Sequence, residues 1–418
     1  MIHFKKFTLN NGLTLLVHKD ESTPIVAVNV LYKVGSRNES PDKTGFAHLF
    51  EHLMFGGSEN IPSFDQPLEK AGGENNAFTN NDITNYYITL PKENIETAFW
   101  LESDRMLNLG FSTKSLDVQR QVVIEEFKQS YLNQPYGDVW LLLKPLAYKF
   151  HPYQWNTIGK EIKHIEDAKM EDVKAFYKKY YNPNNAVLVV AGNVEADEIL
   201  KLTEKWFGDI PAGDPLNDHF IQEPEQKDAR FKEVFRDVPI DSLYKVYPMA
   251  ARGTKDYYVA DLLSDILSNG NSSRLYRKLI KEEGVFSELD AYISGEFDPG
   301  LFVFSGKPAD GFRLEEADKR LEQELDLIKN ELISDFELQK VKNKLEATHI
   351  FSETNVLNNA INLAIAESLG DANTVNTEKE IYAKISAGEI RQIAQTIFCA
   401  EKSSTLYYRS NQKKDAVK

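Results

Sequence analysis

Thr44-Gly45-Phe46-Ala47-His48-Leu49-Phe50-Glu51-His52-Leu53-Met54-Phe55-Gly56-Gly57-Ser58 is the stretch from which the rest of the chain can be read. Phe46, Leu49, Phe50, Leu53 and Met54 fall at i, i+3, i+4, i+7 and i+8, the apolar stripe of a helix packed on a core. The spacing predicts a helix from about Thr44 to Phe55, stopped by Gly56-Gly57. At about 100° per residue, His48, Glu51, His52 and Phe55 gather on the opposite face. Histidines at i and i+4 stand one turn apart, close enough for two imidazoles to share a tetrahedral zinc ion. Glu51 lies on the same short arc, where it is poorly placed as a third ligand. It is well placed to hold and deprotonate a water that the metal activates. The order HxxEH inverts the more familiar HExxH.

A catalytic zinc site needs a third protein ligand and an open fourth position. The predicted helix at 114–132 offers two candidates, Glu125 and Glu126. Gln119, Val123, Glu126 and Ser130 share one stripe, and Glu125 is rotated from it by about 100°. Spacing alone does not choose between them. His151, in Phe150-His151-Pro152, has no partner motif and reads as a loop residue.

The composition bounds the function. The chain has 418 residues, which favours two domains of roughly 200 residues over one core. Its net charge of −15 excludes a nucleic-acid binder, which needs a basic face to displace counterions. An acidic surface mildly favours neutral or basic substrates. The single cysteine, Cys399, leaves no disulfide within the chain and no thiolate zinc cluster. The first twenty residues alternate around Asn11-Gly12 and read as a strand or hairpin, not as a signal peptide. No run is long enough to span a bilayer. The expectation is a cytoplasmic location, or a periplasmic one if a leader precedes this sequence.

Around the motif, residues 7–20 and 25–36 read as strands, 84–91 as a strand, 94–108 and 114–132 as helices, and 186–194 as a short buried strand. The Pro-, Gly- and acid-rich stretch that follows is a linker composition. Strands recur over 232–250, helices over 257–268 and 272–283, a hairpin over 288–306, then long helices and a last strand at 404–410. The order strands, helix, strands, long helices, strand occurs twice, so a duplicated unit is expected. The predicted fold is α+β: two related domains, each a mainly antiparallel β-sheet packed with α-helices. The expected division is 1–210 for the metal-binding domain, 211–228 for the linker, and 229–418 for a related domain without metal.

Four stretches give a more specific reading: TGFAHLFEHLMFGGS (44–58), GGENNAFTNNDITNYY (72–87), QRQVVIEEF (119–127) and YYNPNNAVLVVAGNV (180–194). In order and spacing they resemble the pitrilysin/insulinase zinc peptidases, family M16. The resemblance is strongest to the smaller class that includes mitochondrial processing peptidase and its bacterial two-subunit relatives. It implies that family's metallohydrolase fold, a Zn2+ cofactor and a peptide substrate. It also implies two domains facing each other across an enclosed acidic chamber, which would admit short or unfolded peptides. By the same resemblance Glu126 is the third zinc ligand beside His48 and His52, and Glu51 is the catalytic base. Gln119 stands where the family usually has a glutamate that supports the site, so it could hydrogen-bond there without the charge. Asn76, Ala77, Phe78 and Thr79 correspond to an edge strand that pairs with the substrate peptide. In the second half, Asn271-Ser272-Ser273-Arg274-Leu275 matches a family helix. The Arg and Tyr that polarise the substrate carbonyl in complete active chains are replaced by Ile280 and Ser287. Neither can stabilise an oxyanion as those groups would. The expectation is a dimer, with a related subunit supplying Arg and Tyr. The rival expectation is a non-catalytic assembly or peptide-binding subunit of a larger complex.

Overall fold

The β-branched runs form strands as their alternation requires, and the two halves arrange five of them in the same order. In the computed structural model of the chain, residues 1–110, 112–217 and 219–411 are described. The first sheet contains β1 (Lys5–Thr8), β2 (Thr14–Lys19), β3 (Ile25–Tyr32), β4 (Glu74–Thr79), β5 (Thr84–Pro91) and β6 (Ala186–Gly192). Its spatial order is β1-β2-β6-β3-β5-β4, with β2 and β6 parallel and every other neighbour antiparallel. The second sheet contains β7 (Arg230–Arg236), β8 (Ser242–Pro248), β9 (Phe286–Ile293), β10 (Leu301–Pro308) and β11 (Ser404–Ser410). Its order is β7-β11-β8-β10-β9, with β7 and β11 parallel. Apart from the extra edge strand β1, both sheets run first, fifth, second, fourth, third in chain order. The parallel pair is the first with the fifth in each. The repeat that is faint at residue level is therefore complete in topology, and the mainly antiparallel α+β fold is as expected.

Each sheet is covered by a helix from an unexpected part of the chain. The compact units are 1–129 with 155–221 and 349–377, and 130–154 with 222–348 and 378–418. A division at residues 211–228 would put 130–154 in the first unit and 349–377 in the second. The reason for the exchange is apolar area. In the first unit, β3 and β6 are buried almost throughout, and helix Val356–Ser368 packs on both. That helix buries Val356, Ala360, Leu363 and Ala364. In the second unit, helix Val139–Ala147 packs Val139, Leu143 and Ala147 against Val246, Leu301, Val303 and Leu406. An uncovered sheet face would leave such side chains in water, at about 25 cal/mol per Å².

The two helices that carry the candidate metal-binding residues depart from their predicted bounds. The motif helix is Phe46–Leu53, shorter than Thr44–Phe55, because Thr44 is engaged elsewhere: its hydroxyl contacts His164 Nδ1 at 2.8 Å and accepts from the Lys160 amide at 2.8 Å. The helix predicted over 114–132 is α-helical over Thr113–Phe127, then widens to a π-turn over Lys128–Leu132. The chain leaves the first unit within that turn. Among the described residues, no helix is long and apolar enough to cross a membrane.

Candidate metal centre

The motif helix is held from below by its apolar face and at both ends by glycine. Phe46, Ala47, Leu49, Phe50, Leu53 and Met54 are buried, and Phe50 stacks on Tyr181 at 5.1 Å. Gly45 begins the helix with φ 91°, and a Cβ there would sit 2.8 Å from the Ile158 carbonyl oxygen. Gly57 turns the chain away at φ 93°. The helix has no local side-chain cap. Instead Glu39 accepts from the amides of Gly45, at 2.9 Å, and Ala47, at 2.8 Å. These two N–H groups are orphans that every helix start must satisfy. Glu39 is buried, and burial pushes its carboxyl up to about 8, against the downward pull of those amides.

The opposite face presents His48, Glu51 and His52, all part-buried. Helix Thr113–Phe127 packs beside it and brings Glu126 into contact. His48 Nε2 lies 3.7 Å from Glu126 Oε1, and His52 Nε2 lies 3.4 Å from Oε2. One ligand atom from each of the three residues falls within 4.8 Å of the others. Zinc bonds of about 2.0–2.1 Å put neighbouring tetrahedral ligand atoms roughly 3.3 Å apart, so this donor set fits the ion. Glu125 points away and pairs with Lys128 at 2.7 Å. The rotation between the two glutamates, open in the sequence, is thus fixed by packing: Val123, Ile124 and Phe127 are buried and Glu126 turns toward the histidines.

The electrostatics suit a metal. Burial pushes the His48 imidazole down to about 4, which keeps it neutral, the form that binds metal. The His52 imidazole beside Glu126 holds that carboxyl below the usual range, so it is ionised. Burial raises the Glu51 carboxyl, and a hydrogen bond from Thr79 works against the rise. Among the described residues, the buried His48 Nδ1 has no hydrogen-bond partner.

The remaining predicted residues fall in different places. Asn76, Ala77, Phe78 and Thr79 lie in β4, an edge strand on which the motif helix packs. The Thr79 hydroxyl donates to Glu51 Oε2, and Asn76 Oδ1 accepts from the Ala77 amide at 2.8 Å. Gln119 is part-buried on the Glu126 helix, and among the described residues it makes no hydrogen bond to His48, His52 or Glu126. His151 is buried in the second unit, with Nε2 3.3 Å from Asp298 Oδ2. Ile280 packs on that unit's core, and Ser287 Oγ donates to the Lys307 carbonyl at 3.1 Å. Two functional contacts escape a reading by motif, those of Glu39 and of Thr79 with Glu51. The first had a signal: a helix start with glycine and no Ser, Thr, Asp or Asn cap needs an acceptor from elsewhere.

Known proteins are similar to this chain in both sequence and fold. Residues 14–159 match the family described as Insulinase (Peptidase family M16), and residues 167–345 match the Peptidase M16 inactive domain. "Zinc protease PqqE" of Helicobacter pylori is 32% identical over 349 residues, covering 82% of this chain and 78% of that protein. "Mitochondrial-processing peptidase subunit beta" of Caenorhabditis elegans is 28% identical over 210 residues, 50% of this chain and 45% of its own length. The crystal structure of a protease from Helicobacter pylori superimposes with a TM-score of 0.93 at 29% identity, covering 98% of this chain and all 100% of that one.

Proposed function

The chain belongs to the insulinase family of peptidases, M16, and from that premise we propose that it is a zinc-dependent metalloendopeptidase acting on short or unfolded peptides. One observation carries the reading: the Glu126 carboxylate lies between the Nε2 atoms of His48 and His52, with Glu51 on the same helix face. His48, His52 and Glu126 would hold the metal. A zinc ion there would polarise the scissile carbonyl and make water acidic enough to attack near neutral pH. Glu51 takes the proton of the attacking water and delivers it to the leaving amine. The exposed edge of β4, through Asn76, Ala77, Phe78 and Thr79, pairs with the peptide backbone. Main-chain pairing accepts many sequences, which suits a substrate defined by being unfolded.

The test is Glu51→Gln. The variant should bind one zinc per chain, read by elemental analysis, and lose hydrolysis of an unstructured peptide by about 10²- to 10⁴-fold, the usual worth of a general base. Cleavage at the wild-type rate would overturn the mechanism. Glu126→Gln should lose zinc, and Glu125→Gln should keep it.

The reading extends to a subunit role. Ile280 is committed to a hydrophobic core and Ser287 to a backbone carbonyl, so neither offers an oxyanion donor. A related subunit would supply the Arg and Tyr. Full activity of the lone chain, unaffected by substitution at Ile280 or Ser287, would sink this extension.

A further inference from the structure

We infer that Thr79 is the positioning residue for the base, and that the strand expected to take the peptide therefore also orients Glu51. The inference rests on the proposed peptidase mechanism and adds a group to it.

The Thr79 hydroxyl donates to Glu51 Oε2 across 28 residues of sequence. Among the described residues, Oε1 of the same carboxylate makes no hydrogen bond. One oxygen is tied and the other is free. That division is what a general base needs, because the terminal carboxylate torsion of glutamate is broad and otherwise holds neither oxygen in place. Thr79 is well anchored for the task. It ends β4, and the turn after it is closed by Asn80, whose Oδ1 accepts from the amides of Asp82 at 2.8 Å and Ile83 at 2.9 Å. The Asn80 carbonyl in turn accepts from the Ser36 amide at 3.1 Å. The base thus hangs from a pinned strand end.

The alternation of a strand makes the link directional. Thr79, Ala77 and Asn75 share one face of β4, and Asn76 and Phe78 take the other. Thr79 meets the motif helix, and Asn75 on the same face donates to Asp65 at 3.0 Å. A peptide added to the β4 edge uses backbone groups, which leaves the Thr79 hydroxyl on Glu51. Any shift of β4 on pairing moves the base with it.

The test uses the full chain loaded with zinc and acetohydroxamic acid as the probe, a zinc ligand whose hydroxyl proton needs an acceptor beside the ion. Its affinity, by calorimetry, reports the placement of Glu51 without requiring turnover or a partner. Thr79→Val keeps the shape and removes the hydroxyl. It should bind one zinc per chain and weaken the probe by roughly 10- to 100-fold, the effect of one lost hydrogen bond to a charged group. Thr79→Ser should restore affinity. In a Glu51→Gln background, Thr79→Val should change nothing further. Wild-type affinity in Thr79→Val, with Glu51→Gln impaired, overturns the positioning role and leaves the peptidase reading standing. A wild-type chain that binds no zinc, or a Glu51→Gln variant that binds the probe normally, overturns the peptidase reading and this inference with it.

Discussion

At the scale of single residues, burial raises the Glu39 and Glu51 carboxyls and lowers the His48 imidazole, whereas His52 holds the Glu126 carboxyl down. Glu39 shows the consequence most directly. Its carboxyl is raised from an ordinary 4.5 to about 8, so the folded state favours the protonated form. Stability from such a group is fully present below the unfolded value and is lost as pH rises through the folded one. Glu39→Gln cannot ionise and does not share that loss. The difference in melting temperature between wild type and Glu39→Gln should therefore move in the variant's favour between pH 5 and pH 8. A movement in favour of the wild type would mean an ionised carboxylate capping the motif helix. The same scale shows what could be read in advance. His48, Glu51 and His52 are legible because one helical period, local in sequence, places all three. Glu126 is not, because two adjacent rotations fit the spacing and only the packing of Val123, Ile124 and Phe127 chooses. The partner of Glu51 is 28 residues away on another element, and no periodicity reaches that far.

At the scale of elements, the motif helix owes its place to its ends as much as to its apolar face. Gly45 combines a left-handed backbone with a carbonyl 2.8 Å from any added Cβ. Gly253 has a similar φ of 83°, but there an added Cβ would meet none of the described residues within 4 Å, its chain neighbours aside. Alanine at Gly253 should cost only the backbone term, on the order of 1 kcal/mol. Gly45→Ala adds a clash with backbone that cannot swing aside, and should cost about 2 kcal/mol or more in urea unfolding. Equal losses at the two sites would remove the clash from the account. The strands with β-branched runs, β2, β3, β5 and β6, stand out in the sequence. β4, Glu74-Asn75-Asn76-Ala77-Phe78-Thr79, does not, because an exposed edge strand needs no such run. The family resemblance found it where pattern could not. The π-turns at Lys128–Leu132 and Tyr276–Glu282 also leave no mark in periodicity, since each widens the hydrogen-bond step by one residue over too short a stretch to set a period.

At the scale of the whole molecule, duplication was legible in the order of elements, whereas the exchange of segments was not. A linker composition marks where the chain is polar, and it does not say which sheet a distant helix will cover. Residues 349–377 belong to the first unit, and helix Val356–Ser368 packs on β3 and β6. A fragment ending at residue 221 holds every proposed metal ligand and lacks that helix. It should be poorly soluble and bind zinc weakly, and co-expression with residues 222–418 should recover both properties, as read by soluble yield and zinc content. A soluble fragment with full zinc affinity would show that the helix is dispensable. The exchange also sets a schedule. Synthesis delivers His48, Glu51, His52 and Glu126 more than 200 residues before helix Val356–Ser368, which covers their sheet. The nascent chain therefore carries these residues over that interval without a finished frame to hold them. The proposed metal centre would then be finished only after helix Val356–Ser368 has been made.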